Sequence, residues 1–176
     1  MKVSVIIPVY NEKELIGEIV RRVLAAPLPG GFEREVVIVD DGSDDGTTHL
    51  LEKALFPPEV RVFNSIINHG KGAALRAGFK IATGDVLLIQ DGDLEYDPIP
   101  NHPLLLRPFV DPEVAVVYGS RFLTRAHPED MALRNWIANK ILTWTTRLLF
   151  ACRITDEATA YKVFRREVLE HVDLDC

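Results

Sequence analysis

The 176-residue chain has only two cysteines, Cys152 and Cys176, and they show neither a disulfide framework nor metal-ligand spacing. A reducing compartment is therefore expected. No apolar run approaches the ~18 residues that a membrane span requires. Met1-Lys2 leads straight into a strand pattern, so no signal peptide is expected. A cytoplasmic protein is expected, free or peripheral on the cytoplasmic membrane face. Basic residues number 20 against 26 acidic ones, a net charge of −6, which argues against nucleic acid as a partner. Two phosphate-binding signatures are also missing. Gly70-Lys71-Gly72 lacks the third glycine of a dinucleotide loop and follows the third strand. No phosphate loop with Lys then Ser or Thr occurs. A nicotinamide enzyme and a phosphate-loop hydrolase are thereby disfavoured. Repeats, low-complexity tracts and linkers are absent too, so residues 1–176 read as a single domain large enough for a real core.

What is present centres on Val86-Leu87-Leu88-Ile89-Gln90-Asp91-Gly92-Asp93-Leu94-Glu95-Tyr96-Asp97-Pro98. A short apolar run, read as a buried strand, stops at four carboxylates within seven residues. Gly92 is expected to let the backbone turn tightly, so that Asp91 and Asp93 face one point. Crowded carboxylates repel unless a cation sits among them, and oxygen-only ligands favour a hard ion such as Mg²⁺ or Mn²⁺. The duller alternative is an acidic surface turn.

The rest of the chain weighs against that alternative. Val3 to Val9 reads as a central strand ended by Pro8, followed by a helix with Leu15, Ile16, Ile19, Val20, Val23 and Leu24 on one face. Asn11 and Glu14 have the spacing of a helix-capping pair. Glu35 to Val39 is a second strand, and Leu50, Leu51, Ala54 and Leu55 suggest a short helix stopped by Pro57-Pro58. Val60 to Ile67 is a third strand, before a helix carrying Ala73, Ala74, Ala77 and Ile81. Alternating apolar strands and helices argue for a mostly parallel sheet covered on both faces. In such sheets ligands bind beyond the carboxyl ends of the strands. Three of those ends carry Tyr10-Asn11-Glu12, Asp40-Asp41-Gly42-Ser43 and Asp91-Gly92-Asp93. Asp41, Ser43, Asp45, Gly46 and Glu52 match the spacing of a calcium loop, but the preceding segment is a strand, which disfavours that reading.

Beyond Pro98 the sequence predicts a helix around Leu104 to Phe109, a strand over Val114 to Tyr118 and a mobile loop over Thr124 to Asp130. A final strand over Tyr161 to Phe164 and a helix from Arg165 to Val172 follow. Between them Leu133, Ile137, Ile141, Trp144 and Leu148 recur at helical spacing. That helix either packs on the core or rests at a lipid surface. From Arg121 to Arg153 six basic residues face Glu129 and Asp130, a local +4 that leaves −10 for the remainder.

Pro8-Val9-Tyr10-Asn11-Glu12, Val39-Asp40-Asp41-Gly42-Ser43-x-Asp45-Gly46-Thr47 and Asn68-x-Gly70-Lys71-Gly72 together resemble family 2 glycosyltransferases. Asp91-Gly92-Asp93-Leu94-Glu95-Tyr96-Asp97-Pro98 and Gly119-Ser120-Arg121-Phe122 narrow the resemblance to polyprenyl-phosphate sugar transferases, the dolichyl-phosphate mannose synthase group. It covers nearly the whole chain. The resemblance implies a GT-A-type α/β fold and inverting transfer of a hexose from GDP-mannose or UDP-glucose to a polyprenyl or dolichyl phosphate. It further implies that Pro8, Tyr10, Glu12 and Asp40 hold the nucleoside, with Asp40 reading a base N–H and Asp41 beside it. Asp91, Asp93 and Glu95 would hold the metal, Asp91, Gly92 and Asp93 lying along the diphosphate. Arg121 and Arg134 would hold the acceptor phosphate, and Asp156 would line the site. Gly92 stands where alanine is common in the group, and Ala160 where glycine is. Lys71 and Arg76 read either as diphosphate partners or as solvated cations. Relatives continue past the equivalent of Cys176 with a Phe-Gly-Phe segment and a basic stretch, so the chain is expected to lack that extension.

The chemistry is self-consistent. A lipid phosphate titrates near pKa ~6 and is largely anionic at neutral pH, so it can attack an anomeric carbon without a general base. A sugar hydroxyl would need a positioned carboxylate, such as Asp156 or Glu95.

Overall fold

The computed structural model describes residues 1–123, 131–169 and 171–174. The predicted loop over Thr124 to Asp130 lies outside the described residues. Six strands form one sheet: β1 (Lys2–Val9), β2 (Glu33–Asp40), β3 (Val60–Asn64), β4 (Val86–Ile89), β5 (Val116–Tyr118) and β6 (Lys162–Arg165), in the order β3-β2-β1-β4-β6-β5. β1 pairs in parallel with β2 and β4, and β2 with β3, whereas β6 runs antiparallel to both β4 and β5. The helices are α1 (Ile16–Ala25), α2 (Thr47–Lys53), α3 (Lys71–Ile81), α4 (Pro98–Leu106), α5 (Leu133–Phe150) and α6 (Arg166–Leu169).

Strand alternation sorts β1 onto two cores. Val3, Val5, Ile7 and Val9 meet Ile16, Ile19, Val23, Leu51 and Leu105 on one face. Ile6 meets Val37, Val39, Leu87 and Ala74 on the other. The sheet is therefore covered on both sides, which is why its middle strands read as unbroken apolar runs. Gly78 lets α3 lie directly on the sheet, since a Cβ there would stand 2.6 Å from Ile6 Cγ2.

β1 is the topological switch point: β2 and β3 extend the sheet to one side and β4 starts the other half. Pairing of β1 with β4 ends at Ile6↔Ile89, and Gln90 N–H closes it on the Ile6 carbonyl. Pro8 lies within β1, still in register with Val39, and lacks an N–H to carry the β4 pairing further. The two strands part there, and the gap between their carboxyl ends becomes the floor of a cleft.

Several local expectations are corrected. Asn11 does not cap α1, which begins at Ile16 behind Leu15 without a side-chain cap. Asn11 instead adopts a left-handed φ of 56° and exchanges side-chain hydrogen bonds with Asp44. That pairing ties the first loop to the second. Leu55 is fully exposed beyond α2, and Ile66 and Ile67 lie outside β3 on the surface. α4 starts at Pro98 rather than Leu104, because Asp97 caps it by accepting the Ile99 N–H at 3.1 Å and proline suits the first turn. A 3₁₀ turn over Arg107–Val110 follows, and α6 (Arg166–Leu169) does not extend to Val172.

At the opposite edge of the sheet, buried Glu35 accepts hydrogen bonds from Ser4 Oγ at 2.5 Å and from Thr83 N–H at 2.7 Å and Oγ1 at 2.8 Å. Burial alone would raise its pKa, but these bonds and Lys2 outweigh it and hold the carboxyl at about 2, against an ordinary 4.5. A depressed acid stabilises the fold above its ordinary value, and that contribution is lost as pH falls toward the folded value. Glu35→Gln is therefore expected to lose stability at pH 7 and to flatten the acid limb between pH about 4.5 and 2. Chemical denaturation of both proteins across that range is the check, and parallel curves would remove Glu35 from the acid transition.

Candidate active site

The loops after β1, β2, β3 and β4 enclose a cleft of about 380 Å³ whose walls include Pro8, Tyr10, Glu12, Asp41, Asn68, Lys71, Asp91, Gly92 and Asp93. Tyr10 is half exposed at its rim. Asp41 accepts the backbone N–H groups of His69 (3.0 Å) and Gly70 (2.7 Å), which fastens the β3–α3 loop to the end of β2. Gly42 makes that approach feasible. It has φ +75°, and a Cβ there would stand 2.6 Å from the Ile67 carbonyl carbon.

Asp40 is turned the other way. Its buried carboxylate accepts Ser43 N–H and Oγ and the Thr48 hydroxyl, so it shapes its own loop and is not among the residues that wall the cleft. Asp45, from the calcium-like spacing, likewise accepts from Thr47 and from Lys13 N–H.

Asp91 and Asp93 face the same cleft, as expected, but Gly92 is not what permits it. Its φ is not left-handed, and a Cβ would lie in ordinary contact, 3.4 Å from the Pro8 carbonyl oxygen. Alanine would fit. Asp93 Oδ1 accepts Glu95 N–H at 3.1 Å. Lys71 Nζ forms an ion pair with the buried Asp91 Oδ1 at 2.6 Å. Glu12 sits close enough to these acids that burial first, then Asp93 and Asp45, raise its pKa above 4.5. Glu95 is exposed and faces a neighbouring cleft instead. Among the described residues no three His, Cys, Asp or Glu side chains gather as a ligand set, so the expected Asp91–Asp93–Glu95 trio is not assembled. The donor chemistry still fits a hard divalent ion. Mg²⁺ is commonly held by one or two carboxylates plus substrate phosphates, and Asp91 and Asp93 offer two carboxylates to one cleft.

The second cleft, about 320 Å³, adjoins the first and shares Lys71 and Asp91 with it. Its other walls include Glu95, Tyr96, Arg121, Thr159 and Lys162. Arg121 grips Asp156 through Nε (2.8 Å), Nη2 (2.9 Å) and its own backbone N–H (3.0 Å). Asp156 is 1% exposed, and both its oxygens are engaged. Lys162 donates to the Thr159 carbonyl at 2.6 Å, and burial lowers its pKa below 10.5. The Thr159 hydroxyl is buried and meets no partner among the described residues. Arg134 is exposed on α5 and is not on the walls of either cleft, and Arg76 turns to the Leu174 carbonyl. Sequence reasoning missed Asn68, Thr159 and Lys162. Asn68 lay inside a recognised motif, and Thr159 and Lys162 lay in the segment following Asp156, but none of the three carried an assigned role.

α5 is the other surprise. Of its 18 residues only Thr143 is buried, and Leu133, Ile137, Ile141, Trp144 and Leu148 are all exposed. The core-packing alternative for this helix is thereby overturned. No helix among the described residues is long and apolar enough to cross a membrane.

Residues 4–173 match the family model described as Glycosyl transferase family 2. The chain belongs to that family. Among curated proteins, this family member is 32% identical over 170 residues to the undecaprenyl-phosphate 4-deoxy-4-formamido-L-arabinose transferase of Pseudomonas fluorescens (strain SBW25), covering 96% of this chain and 48% of that protein. The transferase of the same name from Shewanella sediminis (strain HAW-EB3) is 32% identical over 178 residues, covering 99% and 51%. The chain thus spans about half the length of these curated relatives. Among solved structures, mannosyltransferase PcManGT from Pyrobaculum calidifontis, in complex with GDP-Man and Mn²⁺, superposes with a TM-score of 0.71 at 24% identity, over 98% of this chain and 48% of that one. Glucosyl-3-phosphoglycerate synthase from Mycobacterium tuberculosis, in complex with Mn²⁺, UDP and glucosyl-3-phosphoglycerate, gives 0.66 at 22%, over 96% and 58%. These neighbours establish the GT-A-type α/β fold that the motifs implied.

Proposed function

We propose that this family 2 member is the catalytic domain of an inverting, metal-dependent transferase that moves a sugar from a nucleoside diphosphate to a polyprenyl phosphate. The observation that carries it is the pair of adjoining clefts sharing Asp91 and Lys71. The walls of the first include Glu12, Asp41, Asp91 and Asp93, and the second brings Arg121 and Lys162 to Lys71 beside Asp91 and Glu95. The curated relatives are named as undecaprenyl-phosphate sugar transferases, which supports the acceptor class.

In this reading the nucleoside lies against Pro8, Tyr10 and Glu12, with Asp40 behind them bracing the loop. Asp91 and Asp93 hold Mg²⁺ or Mn²⁺, and when bound the ion offsets charge on the departing diphosphate oxygen. Lys71 leaves Asp91 for that diphosphate. Arg121 and Lys162 orient the acceptor phosphate in the second cleft, an arrangement guanidinium and ammonium donors suit. One phosphate oxygen attacks the anomeric carbon as the bond to the nucleoside diphosphate breaks, and the electron pair leaves with that diphosphate. No proton is removed, because the attacking oxygen is already anionic. Asp156, with both oxygens on Arg121, acts by positioning that arginine. α5, with its exposed apolar side chains and Arg134, Lys140 and Arg147, is the face proposed to meet the lipid surface.

The test is transfer of label from GDP-mannose, UDP-glucose or a nucleotide-linked 4-deoxy-4-formamido-L-arabinose, with Mg²⁺ or Mn²⁺ and a short polyprenyl phosphate. Label entering organic solvent supports the proposal, and the donor that turns over identifies the sugar. Label on a saccharide would instead indicate a hydroxyl acceptor, and donor binding without turnover a binding module. Lys162→Ala is expected to raise KM for the polyprenyl phosphate roughly tenfold while KM for the donor stays within about twofold. An unchanged acceptor KM would remove Lys162 from the site.

A further inference from the structure

Beneath the acidic turn lies a buried polar cluster that the proposed reaction leaves unused. Gln90, the first residue past β4, is fully buried, as is His102 of α4, and Tyr161 is nearly so. Gln90 Oε1 accepts from the Tyr161 hydroxyl at 3.0 Å and faces His102 Nε2 at 3.0 Å. Its Nε2 donates to the carbonyl oxygens of Asp91 (3.1 Å) and Tyr96 (3.3 Å). A carboxamide has two N–H donors and two lone pairs, so its whole capacity is used. The orientation of the amide is dictated as well, because carbonyl oxygens only accept and must face the NH₂ group.

The partners' protonation follows. His102 must carry its proton on Nε2, leaving Nδ1 a bare buried acceptor that meets no hydrogen-bond partner among the described residues. A second proton on Nδ1 would have nowhere to go. Burial, with Arg34 adding to it, accordingly lowers the His102 pKa to about 3. His102 is thus a neutral donor across the working pH range.

We infer that Gln90 is a positioning residue for the reaction, clamping the two ends of the Asp91–Tyr96 turn to one amide so that Asp91 and Asp93 keep their place relative to the cationic cleft. The second half of that link runs through Tyr161, which stacks edge-on against Tyr96 with centroids 5.0 Å apart. Tyr161 lies between Thr159 and Lys162, both on the wall of the second cleft. One buried side chain therefore joins the carboxylate turn, α4 and the cationic wall. The inference rests on the proposed metal and donor roles of Asp91 and Asp93, but the geometry of the clamp does not.

Gln90→Met keeps the length of the side chain and removes all four hydrogen bonds, and Tyr161→Phe removes one while keeping the ring. Hydrogen exchange of the 92–97 amides in metal-free protein and Mn²⁺ affinity by calorimetry are measured beside Tm. Gln90→Met is expected to speed exchange in the turn at least about tenfold relative to the β4 amides. Mn²⁺ binding should weaken by about 10–100-fold, the range seen when a ligand's supporting partner is lost. Tyr161→Phe should shift both readouts the same way by about threefold. A fall in Tm with uniform exchange and unchanged Mn²⁺ affinity would reduce Gln90 to core packing and overturn the inference. Should Gln90→Met fail to fold, the Tyr161→Phe pair of readouts decides alone. If the unaltered protein binds no Mn²⁺, the metal reading fails, while the exchange result still upholds or overturns the clamp.

Discussion

Asp93→Ala is expected to lower metal-dependent turnover by at least about 100-fold while leaving Tm within a few degrees. Asp93 faces the first cleft and accepts the Glu95 N–H of its own turn, so its removal strips a prospective ligand without opening the core. Its charge is also felt at Glu12, where burial is the first cause of the raised pKa and Asp93 the second. Removing Asp93 should therefore bring the Glu12 pKa down toward 4.5. Thermal shift with and without Mn²⁺ separates the two effects, since only the unaltered protein should gain stability from the ion by mass action. Unchanged turnover in the variant would remove the metal role and with it the assignment of the first cleft.

Arg121→Ala should be the most destabilising single change at the site. Asp156 is buried and its carboxylate has Arg121 on both oxygens. Burial pushes its pKa up, but the arginine's side-chain and backbone hydrogen bonds outweigh that and hold it below 3.8. Removing one member of a buried pair leaves an uncompensated charge, at a cost of about 3–5 kcal/mol. At about 2–4 °C per kcal/mol for a chain of this size, Tm should fall roughly 10 °C. The sign with pH follows from linkage. A depressed carboxylate stabilises the fold above its ordinary pKa, and this is lost as pH falls through the folded value. The gap between variant and parent should therefore narrow below pH about 4. Activity should fall as well, because the second cleft loses a cation.

Asp156→Asn is the informative partner. It keeps the cation, so turnover should stay within about tenfold. A loss of about 10³-fold at unchanged Tm would instead make Asp156 a general base and favour a saccharide hydroxyl as acceptor.

How much of this was legible from composition and motif differs from residue to residue. β1, β2 and β4 were readable because each holds a mostly apolar run stopped by polar or glycine-rich turns, and β3 because its apolar residues alternate with polar ones. Their carboxyl ends had to fall together once the connections were helical. Tyr10, Glu12, Asp41, Lys71, Asp91 and Asp93 duly share one cleft. Asp40 and Asp41 are neighbours of identical chemistry, and the chain does not say which points inward. The deciding contacts, Ser43 and Thr48 for one and His69 and Gly70 for the other, depend on how two loops meet. Glu95 and Arg134 were placed by motif alone, and the structure sets them on other surfaces. The α5 periodicity announced a helix but could not say what would cover it.

By itself, then, the order of residues determined a doubly covered, mostly parallel sheet, the edge at which its main cleft opens and the acids offered there, because these follow from local periodicity and connection lengths. Tertiary structure alone decided that β6 runs antiparallel beside β4, and that Gln90 meets Tyr161 across 71 residues of chain. It also decided that Lys162, rather than Arg134, joins Arg121 at the second cleft. The physical reason is that pairing across a sheet is set by the packing of whole faces. No spacing along the chain encodes which distant side chains that packing brings within hydrogen-bond reach.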